Sequence, residues 1–227
     1  ADAVICFGGD GTILHMAKAA TRNGIPILGV NIGTMGFMAE LESTELEQLK
    51  RLATGAYTID SRMMLDVTVQ RDRDIIFHDI CLNDAVITKG GIARIVHLAV
   101  KCDDVQAMEC GGDGLIVATP TGSTAYSLSA GGPIMYPSCS GTIITPICAH
   151  SFLSRPLVVS ADETINITTR CPEGCEAYLT IDGEKAILLS ETSKTVISKA
   201  DITANLIKLK DESFIHILHE KLGNGGL

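Results

Sequence analysis

A chain of 227 residues makes one large domain or two modest ones, and 46% apolar with 20% charged residues is the composition of a globular chain with a substantial core. Mean hydropathy is positive, +0.27, yet no uninterrupted apolar run of about 18 residues occurs, which excludes a spanning helix. The net charge of −9 argues against a nucleic-acid binder with a basic face, so phosphorylated ligands would be held by local backbone dipoles and a few cations. Eight cysteines are too few for a disulfide scaffold, and Cys171 and Cys175 lack the second pair that a zinc site needs. Reduced core thiols in a cytoplasmic protein are expected, with no membrane attachment. The chain opens at Ala1, without an initiator methionine and inside an apolar run, so a fragment, or a chain lacking its N-terminal part, is expected.

In chain order, residues 3–7 read as a buried strand, 12–23 as a helix closed by Gly24, and 25–30 as a second buried strand. A second helix is expected over 45–53, with Thr44 and Glu47 at capping-box spacing and Gly55 at its end. Strand, helix, strand, helix implies a parallel sheet. From Met64 the period changes to two, with Leu65, Val67 and Val69 on one face. A turn at 71–74 and a return strand at 75–80 follow. Further short strands are expected at 86–88, 95–101, 115–118, 142–147, 157–159, 164–168, 177–181 and 186–189, which suggests a sandwich. One helix interrupts them at 123–130. The tail returns to a strand (206–209) and a helix (213–222). The expected fold is α/β plus all-β. Residues 1–60 form a Rossmann-like α/β domain, incomplete at its N-terminus, onto which 206–227 packs back. Residues 61–205 form a β-sandwich-like domain.

Three segments carry candidate chemistry. Gly8-Gly9-Asp10-Gly11-Thr12 follows the first strand and opens the first helix, which sets backbone N–H groups beside a possible anion. It is neither a Walker loop nor a dinucleotide fingerprint. Asp10 is unfavourable beside phosphate unless it acts as a base; the alternative is an ordinary Asp-Gly turn. The second glycine turn, Asn31-Ile32-Gly33-Thr34-Met35-Gly36-Phe37, follows the neighbouring strand, either as a ligand loop or as a simple connection. Gly112-Asp113-Gly114-Leu115 precedes a strand. Then comes Thr119-Pro120-Thr121-Gly122-Ser123-Thr124-Ala125-Tyr126-Ser127-Leu128-Ser129, ending at Gly131-Gly132-Pro133. Its hydroxyls and one aromatic face suit ribose, phosphate and base edges, whereas a helix cap would use a single hydroxyl.

Together with Asn83-Asp84, these segments, in this order, resemble the NAD kinase family across essentially the whole chain. The glycine-aspartate turn alone is shared with phosphofructokinase-like and lipid kinases; the threonine-proline-threonine-glycine stretch is the specific part. The resemblance implies phosphoryl transfer from ATP, or polyphosphate, to the 2′-hydroxyl of the adenosine ribose of NAD, giving NADP, with a divalent cation such as Mg²⁺ carried on the donor phosphates and no protein metal site. It implies Asp10 as the catalytic base, with Gly9, Gly11 and Thr12 bordering the donor. Phe37, Asn83, Asp84, Asp113, Thr121, Thr124, Ala125, Tyr126, Ser127 and Ser129 are implied as substrate-binding positions. Many members have asparagine-glutamate where this chain has Asn83-Asp84, a shorter arm with the same charge. Asp182, in Ile181-Asp182-Gly183-Glu184, is either a further ligand position or a hairpin turn. Arg94 is either a substrate contact or a solvated arginine. Members usually carry a segment ahead of the first motif, and they self-associate, so a dimer or tetramer through the β-rich domain is expected. The alternatives are a lipid kinase of the same superfamily and a non-catalytic nucleotide sensor. The histidines form no set: His216 and His219 are expected to face solvent without an acidic partner, and His150 to lie in the core or at the site edge.

Overall fold

The computed structural model describes residues 1–33, 36–72, 74–91, 94–150, 154–184 and 186–223. Its elements are β1 (Val4–Phe7), α1 (Asp10–Arg22), β2 (Ile27–Asn31), β3 (Leu41–Glu42), α2 (Lys50–Ala53), β4 (Thr58–Arg71), β5 (Asp74–Cys81) and β6 (Asp84–Lys89), followed by β7 (Val96–Cys102), β8 (Val105–Gly112), β9 (Gly114–Ala118), α3 (Tyr126–Ser129) and β10 (Gly141–Ile147). The chain continues through β11 (Leu157–Ser160), β12 (Ile165–Arg170), β13 (Ala177–Ile181), β14 (Ile187–Leu189), β15 (Ser193–Lys208) and α4 (Phe214–Gly223). It divides into two units, Ala1–Arg62 with Ile202–Leu227, and Met63–Asp201. No described helix is long and apolar enough to cross a membrane.

In the first unit β1 and β2 pair in parallel, Val4 opposite Ile27 to Phe7 opposite Val30. On the other side of β2 lie β3, and the end of β15 through Leu206 opposite Ile27, also parallel. Leu28, Val30, Leu41, Ile207 and Leu209 make the core on one face. The other face receives α1: Ile13 packs where a Cβ on Gly29 would collide with it, so a glycine there lets the helix approach the sheet. α1 begins at Asp10 rather than Thr12, with Gly9 as its N-cap. It ends in a left-handed turn at Gly24 (φ +65), where Gly24 and Ile25 donate to the carbonyls of Thr21 and Ala20. β1 departs from expectation: only Cys6 is buried, and Ile5 and Phe7 stand exposed because nothing described covers those faces. The second helix is broken into a 3₁₀ turn, Leu46–Leu49, and α2, with no side-chain cap. Thr44 and Glu47 do not form the expected box. Glu45 instead accepts the Glu42 N–H three residues back, and its carboxylate also pairs with the Lys210 ammonium.

The second unit is a sandwich. One sheet runs β11-β10-β9-β6-β13-β14. The facing layer includes β12 between β7 and the first half of β15, with β8 beyond β7 and the β4–β5 hairpin. Inward residues from both layers share one core: Leu65, Val67, Leu98, Val100 and Ile167 from one, and Ile87, Leu115, Val117, Ile144 and Leu179 from the other. The first sheet is also covered outside, where Val86, Ile116 and Ile143 meet Ala130 and Met135 near α3. That double burial explains the continuous apolar run of β9 and the complete burial of β10. Three strands escaped the sequence pattern, the two-residue β3 among them. β8 is an edge strand of mixed character with two glycines, and most of β15 alternates too irregularly to read. The expected helix at 123–130 is instead a 3₁₀ turn, Thr121–Thr124, followed by the single-turn α3.

Candidate active site

In the first unit, both glycine turns leave the carboxyl ends of neighbouring parallel strands. Gly8 admits the Thr12 side chain, since any Cβ there would strike it. Asp10 opens α1, and its carboxylate bridges the two turns: Oδ2 accepts the Phe37 N–H at 2.6 Å and Oδ1 the Met38 N–H at 2.9 Å. A Cβ on Gly36 would run into this carboxylate. The second turn is therefore built around Asp10, and it is braced by Asn31, whose side chain accepts the Gly33 N–H at 3.1 Å and donates to Glu42 at 2.9 Å. Thr34 and Met35 lie outside the described residues. Gly9 is half-buried, and Gly11 and Thr12 are open. Glu40, buried, accepts N–H bonds from Leu209 and Lys210 at 2.7 and 2.6 Å and pairs with Lys208, which fixes the tail strand to this unit.

In the second unit the structure gathers Asn83, Asp84, Thr121, Thr124, Ala125 and Asp182. The Asp182 carboxylate accepts three backbone N–H bonds, from Leu82 at 3.0 Å and from Asn83 and Asp84 at 2.8 and 3.2 Å. Its own N–H returns a bond to the Asp84 carbonyl. Asp182 has φ +53 and Gly183 φ +71, so it is at once a hairpin residue and the clamp of the Asn83-Asp84 turn. Asp84 is 5% exposed. Its burial, and then the Asp182 charge, push its carboxyl up to about 7. Thr119 ties the hydroxyl-rich turn to the same place: its hydroxyl donates to the Leu82 carbonyl at 2.5 Å and accepts the Gly122 N–H at 3.0 Å. Gly122 lies against the Asn83 carbonyl, leaving no room for a Cβ.

Most hydroxyls of this turn serve its own architecture. Ser123 bonds Pro120 and Met135, Thr124 bonds Thr121, and Ser127 is buried against Thr145 at 2.9 Å. Tyr126 and Ser129 are the exposed members, Tyr126 at 45%. Asp113 is not brought to this cluster. It precedes β9 while Thr119 follows it, so five residues of strand, about 17 Å, separate them. Asp113 pairs instead with Lys89 at 2.6 Å. Exposed Arg94 belongs to that same end, since Val96, at the start of β7, pairs with Gly112.

The remaining candidates are outside both clusters. His150 is exposed, with its backbone N–H on Gly111. His216 and His219 face solvent, but His216 does have an acidic partner, Glu220 at 3.5 Å one helical turn on. None of the eight cysteines is in a disulfide, and Cys139 and Cys148 are exposed rather than in the core. Among the described residues no three His, Cys, Asp or Glu side chains converge. Sequence reasoning missed Thr119 and Asn31 as organisers, although each stood inside a segment that it had singled out.

A carboxylate locked into a glycine turn at the ends of parallel strands, in a chain with a hydroxyl-lined turn on a sheet-rich unit, marks a nucleotide-dependent phosphotransferase. Residues 1–58 match the ATP-NAD kinase N-terminal domain and residues 82–209 the ATP-NAD kinase C-terminal domain. The chain belongs to the NAD kinase family. It is 44% identical over 227 residues to the NAD kinase of Moorella thermoacetica, covering 100% of this chain and 72% of that one. With the NAD kinase of Acetivibrio thermocellus it shares 41% over 226 residues, 99% of this chain and 78% of the other. Among solved structures it resembles yeast NADH kinase complexed with NADH (TM-score 0.91, 27% identity, 100% of this chain and 67% of the other). It also resembles an NAD kinase from Archaeoglobus fulgidus in complex with ATP (TM-score 0.82, 28% identity, 99% and 84%).

Proposed function

We propose that this NAD kinase transfers the terminal phosphoryl group of ATP to the adenosine-ribose 2′-hydroxyl of NAD, with Asp10 as the base. The observation that carries the assignment is the Asp10 carboxylate held by two backbone N–H groups in the glycine turn that opens α1. Each oxygen spends one lone pair on that anchoring and keeps another for the hydroxyl proton. The proton passes to Asp10, the ribose oxygen bonds to the terminal phosphorus, and the bridging bond to ADP breaks. Gly9, Gly11 and Thr12 border the donor, where open N–H groups at the start of α1 receive phosphate. A divalent cation such as Mg²⁺, arriving with ATP, would offset the negative charge of the donor phosphates. The chain's nearby carboxylates, Asp10 and Glu42, already accept N–H bonds, which suits a cation that arrives with ATP.

Asn83, Asp84, Thr121, Thr124, Ala125, Tyr126 and Ser129 are proposed to hold NAD, with Asp182 and Ser127 shaping the pocket from behind. Phe37 is placed on the donor side. Asp113, one strand length from Asn83, is proposed to meet a different part of the ligand, and Arg94 to stand near Asp113. The α/β domain (1–60 with 206–227) would carry the donor and the β-rich domain (61–205) the acceptor. A cytoplasmic homo-oligomer completes the proposal. A coupled assay crossing ATP and polyphosphate with NAD and NADH tests it. NADP formation from ATP is expected; ligand binding without product would leave a sensor in its place.

A further inference from the structure

Beyond the residues assigned so far, the first unit places one cation at the donor end. Lys221, near the end of α4, holds its ammonium 4.7 Å from the centre of the Phe37 ring. Phe37 is the residue whose N–H fixes the Asp10 carboxylate, and the charges acting on Lys221 include Asp10, Glu42 and Lys208. The amine is thus inside the Asp10 cluster, although it is remote in sequence.

Its neighbours leave it uncommitted. Lys208 is paired with Glu40, and Lys210 with Glu45 and Glu212. Among the described residues Lys221 closes no such ion pair, while the carboxylates near it are already hydrogen-bonded, Asp10 to the Phe37 and Met38 N–H groups and Glu42 to the Asn31 amide. An aromatic face orients an ammonium without neutralising it. Burial lowers the proton affinity of Lys221 more than the surrounding carboxylates restore it, so the ammonium has room for a further anionic partner. The reaction brings one. A nucleoside triphosphate adds several negative charges next to Asp10, and the glycine turns supply only neutral N–H donors.

Resting on the assignment of this unit to the donor, we infer that Lys221 is a substrate-contacting residue: the C-terminal helix delivers its ammonium, across the Phe37 ring, to the phosphoryl oxygens of the bound donor. In the transfer step it would remain protonated and offset charge on the phosphoryl group as the bond to ADP breaks.

The test compares the full chain with Lys221→Ala and Lys221→Arg, by initial rates with each substrate varied, by ATP binding in calorimetry without NAD, and by thermal midpoint. Lys221→Ala should lose about 10- to 100-fold in ATP affinity and in kcat/KM for ATP, as expected on removing a charge-assisted contact. The KM for NAD and the midpoint should stay put, and Lys221→Arg should recover much of the loss. Unchanged ATP binding in Lys221→Ala overturns the inference. So does an equal loss for both substrates that tracks a lowered midpoint. If the wild-type chain binds ATP but forms no NADP, the proposed function fails, and the binding arm still decides Lys221.

Discussion

Asp10 does two jobs with one carboxylate, and a single substitution separates them badly. As an asparagine it would keep one acceptor oxygen but turn an amide NH₂ towards the N–H of Phe37 or Met38, where both present partners need an acceptor. Asp10→Asn is therefore expected to cost about 1–3 kcal/mol of stability, and on top of that to lose about 10²- to 10⁴-fold in turnover as the base disappears. Urea unfolding and kcat on the same samples separate the two; near wild-type kcat would remove Asp10 from catalysis. Asp84 gives a pH signature. Burial and the Asp182 charge raise it from 3.8 to about 7 in the folded chain, so between those values the native state holds a proton that the unfolded chain releases. This contribution is complete below about pH 3.8 and fades as pH rises through 7. Asp84→Asn should flatten that part of the urea-midpoint profile between pH 5 and 8 and be the more stable protein at pH 8. Parallel profiles would show that Asp84 ionises freely.

At the scale of elements, the Asn83 turn, the Thr119 turn and the β13 hairpin interlock through hydrogen bonds between the Asp182 and Thr119 side chains and neighbouring backbone. Gly122 is the tightest point, with the Asn83 carbonyl where its Cβ would go. A backbone neighbour cannot rotate away. Gly122→Ala should cost about 1–3 kcal/mol and raise the KM for NAD while sparing that for ATP, as read by unfolding midpoints and two-substrate kinetics. A wild-type midpoint would mean that the turns can separate without cost. Elements of this kind were partly legible. The period-two run of β4 was readable because alternation reflects one buried face, and β9 because both of its faces are covered. The helix at 45–53 forms in two pieces, a 3₁₀ turn and α2, and the carboxylate at its start is Glu45, which accepts the Glu42 N–H and pairs with Lys210 from the other end of the chain, a partner no local cap rule contains.

For the whole molecule, self-association is the open expectation. Among the described residues β11 pairs only with β10 and exposes Leu157 and Val158 at 37% and 48%, and β8, at the end of its own layer, exposes Val105 at 71%. Unpaired apolar edges in a β-rich unit are commonly covered by a symmetric copy. Light scattering at micromolar concentration should give a dimer or tetramer, and Val158→Lys should shift it towards monomer; a monomeric wild-type mass would contradict the expectation. The sequence by itself determined the family, the two textures of the chain and the glycine turns, because each depends on residues close together along the backbone. Only the tertiary structure decided which groups work together. Asp10 meets its anchoring amides 27 and 28 residues away, and Asp182 meets the Asn83 turn 98 to 100 residues away. The same residue, Asp-Gly in both cases, is a plain turn in one dimension and a clamp in three. A carboxylate's role is set by which N–H groups it can reach, and chain neighbours do not specify that.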